Sequence, residues 1–114
     1  MTTRTVDILD TAIGQIKNAR DHLRDDDDEL LAADLSAVVG TLRELVWTID
    51  TFTATIIDAY GHKHDLGHDD GHDPAAVVAR IIERLASSRR CLDSIDGLLA
   101  DAHNHAARLH NTGH

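Results

Sequence analysis

Apolar residues recur at alternating three- and four-residue spacing along three stretches of this chain, and such a spacing lines one face of a helix. The cleanest stretch is Leu31, Leu35, Val38, Leu42, Leu45, Ile49, Phe52 and Ile56. A second runs Val78, Ile81, Leu85, Ser88, Leu92, Ile95, Leu99, Ala102, Ala106, Leu109, with Ser88 as its polar member. The third is shorter: Val6, Leu9, Ile13, Ile16, Arg20, Leu23. A repeat averaging 3.5 residues asks for neighbouring helices that cross at a shallow angle with knobs packed into holes. The expected fold is therefore all-α. It is an antiparallel up-down-up three-helix bundle with long second and third helices, dimerising through the hairpin that these two form.

The breaks between stretches carry their own punctuation. Asp26 followed by Glu29 resembles a capping box, and the whole DDDDE run suits the positive end of a helix dipole. Asp73-Pro74 reads as an N-cap followed by proline at the first helical position. Gly61 is placed to end the second helix in a left-handed conformation. One domain spanning 1–114 follows, with helices over about 5–23, 27–60 and 74–109 and a His/Asp-rich loop over 61–73. Gly14, Gly40 and Gly97 fall inside these helices and read as tolerated surface glycines.

Aromatic residues make up only 3% of the 114 residues, so any core is aliphatic. Asp50 and Asp58 interrupt the most apolar stretch, so no run reaches the ~20 residues that span a bilayer. The start, MTTRTVDILD, lacks a basic region followed by an apolar one, and no secretion signal is expected. Cys91 is the only cysteine, which permits no internal disulfide and fits a cytoplasmic protein. Beside the third seam, it reads as a small packing residue.

Charge argues against nucleic acid as a partner. Eleven basic and twenty acidic residues leave −9, the sign that phosphate backbones repel. Mimicry of a DNA backbone would need carboxylates spread over one face, whereas here they concentrate at 25–29 and 65–73. Nine histidines modulate this balance, because charging all of them moves the formal count to zero.

Unequal helix lengths expose a flank. At 1.5 Å per residue the second and third helices each extend roughly 50 Å and the first only about 30 Å. The half of the hairpin near the 61–73 loop is then left bare, with Trp47, Phe52, Ile56, Ile57 and Tyr60 on it. A second stripe, Val39, Val46, Thr53, Tyr60, points the same way. An apolar strip of this size is a liability in a monomer, so these eight positions form the expected surface for a second copy or another protein, unless the first helix slides or bends to cover them.

The loop GHKHDLGHDDGHD carries the chemical interest. His62, His64, His68 and His72 stand among Asp65 and Asp69, and imidazole with carboxylate suits a divalent transition metal such as zinc or nickel. Three glycines in the same segment argue for a solvated loop without fixed geometry. A second histidine group, His103, His105, His110 and His114, is expected beside His22 and Asp25 to Asp28, as an electrostatic clasp or a shared metal site.

Enzyme signatures are absent. Glu29, Glu44 and Glu83 are the only glutamates, so the paired ExxE and ExxD carboxylates of helical nucleotide pyrophosphohydrolases have no counterpart. Neither does the Glu-x-x-His of di-iron bundles. The expectation is a non-enzymatic helical interaction module, with a metal-binding or metal-responsive protein as the competing class.

Overall fold

The computed structural model describes residues 3–25, 32–61 and 73–109. Every regular element among them is a helix: α1 (Arg4–Asp25), α2 (Ala32–Gly61) and α3 (Pro74–Ala106). No helix among the described residues is long and apolar enough to cross a membrane.

Local chemistry sets the ends. Thr3 caps α1, its Oγ1 accepting from the Val6 amide at 3.2 Å, and so the helix begins at Arg4, one residue before the expected start. Asp73 caps α3 in an extended conformation, with Oδ1 accepting from the Ala75 amide at 3.1 Å and Pro74 next in the chain. Past Ala106 the backbone tightens, with amides of Arg108 and Leu109 donating three residues back to His105 and Ala106. That tightening stops α3 three residues short of the expected Leu109. Gly61 is the last residue of α2 and has no left-handed φ, so the glycine cap expected there is not formed. The DDDDE cap lies outside the described residues.

Threonines in α2 satisfy their own hydroxyls. Those of Thr41, Thr48, Thr53 and Thr55 each donate to the carbonyl four residues back, at 2.8 to 3.0 Å. A hydroxyl paired in this way can enter an apolar contact without an orphaned donor. Thr53 uses that freedom: at 8% exposure it is the most buried residue described in α2.

α2 and α3 pack against each other as an antiparallel hairpin, and α1 makes almost no contact with either. None of the residues of α1 is buried, and its stripe of Val6, Leu9, Ile13, Ile16 and Leu23 is exposed. Among the described residues, α1 therefore does not complete the three-helix packing expected from the sequence. Extents of 68 × 28 × 19 Å and a radius of gyration of 19.3 Å describe an elongated molecule. A compact chain of this length has a radius near 13 Å. Two helices side by side cover only one stripe of each other, and among the described residues only Thr53 and Ala106 are buried.

Candidate interaction surface

Polar residues line one edge of the hairpin contact. Arg89 meets Asp50 as a fork, Nε to Oδ1 at 2.9 Å and Nη2 to Oδ2 at 3.3 Å. Seven residues away along each helix, in opposite directions, Arg43 Nε donates to Asp96 Oδ1 at 3.2 Å. His103 continues the row and lies against Gly40, where an added Cβ would come within 3.2 Å of Nε2. The hydrogen bonds from Arg89 hold the Asp50 carboxyl below the ordinary carboxylate range, and burial offsets only part of that effect. The same contact raises the Arg89 guanidinium above its usual value.

This row fixes how the helices are rotated. On α3 the residues turned toward α2 are Val78, Ile82, Leu85, Arg89, Leu92, Asp96, Leu99, His103 and Ala106, all half-buried or buried. The members Ile81, Ser88, Ile95 and Ala102 of the expected seam are exposed instead. On α2 Ser36, Val39, Arg43, Val46, Asp50, Thr53 and Ile57 are half-buried or buried, as are Leu35, Leu45, Phe52 and Ile56 of the expected seam, while its members Val38, Leu42 and Ile49 stay more than 40% exposed. The contact is thus rotated from the purely apolar stripe, because the Arg–Asp pairs occupy one of its rows.

The displaced stripe becomes an outer face. Helical periodicity puts Val38, Leu42 and Ile49 of α2 beside Ile81 and Ile95 of α3, on the side of the hairpin away from the ion pairs. Phe52 and Ile56, half-buried, extend it toward the loop end. The opposite edge carries Trp47, 65% exposed, beside a shallow hollow lined by Gly40, Arg43, Glu44 and Asp96.

Comparison with family models, with curated proteins and with solved structures finds no match to this chain. The surface alone carries the functional argument.

The eight expected interaction positions are split by the fold. Val39, Val46, Thr53 and Ile57 are turned toward α3, so the second stripe of α2 forms the hairpin contact and not a bare flank. Phe52 and Ile56 lie on the outer face, Trp47 on the ion-pair edge, and Tyr60 at the exposed end of α2. His62, His64, Asp65, His68, Asp69 and His72 lie outside the described residues. So do His110 and His114. Among the described residues no three ligating side chains converge as a metal site requires. His105 Nε2 stands 3.6 Å from Asp101 on the same exposed turn. Cys91 is exposed and not a packing residue.

Sequence reasoning missed the polar row. Arg43, Asp50, Arg89 and Asp96 stand at seven-residue intervals on their helices, and opposite charge at matched heptad positions was the available signal. Gly40, expected as a tolerated surface glycine, lies against the His103 ring of α3.

Proposed function

We propose that this chain is a non-enzymatic helical interaction module, working as an adaptor, regulator or assembly subunit through helix–helix contacts. One observation carries the reading: Val38, Leu42, Ile49, Ile81 and Ile95 lie exposed on one side of a two-helix hairpin, and none of the described residues of α1 packs over them. Monomeric proteins rarely leave a contiguous apolar face of this kind in water, and such faces mark surfaces built for another helix. The hollow beside Trp47 brings together Arg43, Glu44 and Asp96, of which Arg43 and Asp96 are engaged with each other. That leaves no nucleophile and base within reach of one another there.

Retention of a partner by the full chain, compared with an L42E/I95E variant, tests the reading. A partner held by the natural chain and lost from the variant supports it. A chain that neither self-associates nor holds any partner through this face refutes it. The competing reading places zinc or nickel on His62, His64, His68 and His72 with Asp65 and Asp69, and rests on histidine density in the sequence. Calorimetry with each metal, against a variant with His64, His68 and His72 changed to alanine, separates the two readings. Micromolar binding lost in that variant would favour the metal.

A further inference from the structure

We infer that the hollow beside Trp47 receives one arginine side chain of a partner protein, its guanidinium stacked on the indole and paired with Glu44. The site lies on the ion-pair edge of the hairpin, away from the apolar side that carries the proposed function, and so goes beyond that reading.

Spacing builds the hollow. Gly40, Arg43, Glu44 and Trp47 stand at i, i+3, i+4 and i+7, so they share one face of α2, and Asp96 of α3 completes the lining. Gly40 contributes no side chain, which leaves a concavity between its neighbours. The volume is about 170 Å³. Pockets that enclose a free small molecule begin at roughly 300 Å³. One side chain carried by a partner fits this scale better than a metabolite does.

Charge selects the occupant. Arg43 Nε donates to Asp96 Oδ1, so that guanidinium and that carboxylate balance each other. Glu44 is exposed, and its carboxylate takes part in no hydrogen bond or ion pair among the described residues. One negative charge is therefore in excess at the hollow, on a chain whose formal charge is already −9. Both favour a cation over an anion.

Trp47 narrows the choice further. It is 65% exposed and is the only tryptophan of a chain with 3% aromatic residues. Indole is the best aromatic face for a cation, and a planar guanidinium can lie flat on it while its edge still reaches a carboxylate. Glu44 precedes Trp47 by three residues, the spacing at which helical side chains are neighbours, so one guanidinium can meet both. Tryptophan and arginine are also the residues that most often anchor protein interfaces.

Because Trp47 is the only tryptophan, its emission reports on this hollow alone. The full chain is titrated with a blocked tetra-arginine peptide and with its citrulline counterpart, which has the same shape and no charge. The arginine peptide should change the emission saturably, and the citrulline peptide should not. E44Q should weaken the arginine peptide at least about threefold, the scale of an exposed ion pair together with its stacked cation. D10N removes the same charge from α1, which barely touches the hairpin, and should leave the affinity within about 1.5-fold.

Binding without a change in emission would put the arginine elsewhere on this acidic chain and overturn the site. Equal weakening by E44Q and D10N would overturn the pairing with Glu44, and an equal response to citrulline would overturn the cation. Tighter binding of a tetra-glutamate peptide would assign the hollow to an anion held by Arg43 and overturn the inference as well. Should E44Q lose its helices by circular dichroism, the contrast between the arginine and citrulline peptides on the natural chain decides. None of these outcomes touches the apolar side, which the L42E/I95E variant tests by itself.

Discussion

Replacing Gly97 and Gly40 with alanine, one at a time, separates helix propensity from packing in this hairpin. Glycine within a helix costs about 1 kcal/mol relative to alanine, because more backbone freedom is lost on folding. At Gly97 an added Cβ meets nothing within 4 Å, so the full gain should appear. For a domain of this size about 1 kcal/mol corresponds to a rise in Tm of roughly 4 °C. At Gly40 the same Cβ lands 3.2 Å from His103 Nε2, closer than ordinary van der Waals contact. The half-buried imidazole must then move by a few tenths of an ångström, and G40A should fall short of G97A by about 0.5 kcal/mol or more. Truncating His103 removes the obstacle, so G40A in an H103A background should recover the G97A gain. Thermal and urea unfolding followed by circular dichroism at 222 nm measure the natural chain, G97A, G40A, H103A and the G40A/H103A double variant. Equal gains at the two positions would refute the close approach of α3 to α2 at Gly40, and a loss on G97A would refute the open surface assigned there.

Three further outcomes are expected. Asp50 has a lowered pKa in the folded chain, so its contribution to stability is complete above the unfolded value near 3.9 and disappears as pH falls through the lower folded value. Urea midpoints between pH 6 and pH 2 should accordingly fall less steeply at the acid end for D50N than for the natural chain, and parallel curves would remove the Arg89 contact as the cause. Ile13 is exposed on α1, which barely touches the hairpin, so I13E should change the unfolding free energy of the hairpin by no more than about 0.5 kcal/mol by denaturant titration. A loss above 2 kcal/mol would mean that α1 is packed in solution. Protonation of the nine histidines brings the formal charge from −9 toward zero and weakens the repulsion between copies. Light scattering should show larger particles at pH 5.5 than at pH 7.5, and unchanged size would make the histidines spectators in association.

The start of α3 was legible in the chain; the glycine cap expected at Gly61 and the rotation of the helices about their axes were not. Asp73-Pro74 starts α3 as any N-cap followed by proline does, because one side-chain oxygen satisfies a free amide and proline needs none. The seam was harder, since apolar periodicity reports which residues avoid water and not which neighbour they meet. Ile81 and Ile95 fit the 3,4 pattern, yet Arg89 and Asp96 take the row nearest α2. Each of those charges looks like a solvent-facing residue when its helix is read alone. Only the opposite charge at the matching height of the other helix reveals the pairing, and that correspondence depends on a register that no single stretch contains. For the same reason Thr53 read as part of a bare flank. Its hydroxyl is already bonded to the Ile49 carbonyl, which leaves a methyl group to bury.

The alternation of sign along the ion-pair row makes the hairpin single-valued. A core of leucine, isoleucine and valine tolerates sliding, because one aliphatic knob fits the next hole almost as well. Sliding α3 by one heptad in one direction would bring Arg89 beside Arg43, and in the other direction would bring Asp96 beside Asp50. Both displaced alignments set like charges against each other, so only the native one is free of repulsion. The lock works at a distance from itself. It fixes the heights of Leu42 and Ile95, which lie on the far side of the hairpin, and so every copy of the chain presents the same relief of ridges and hollows.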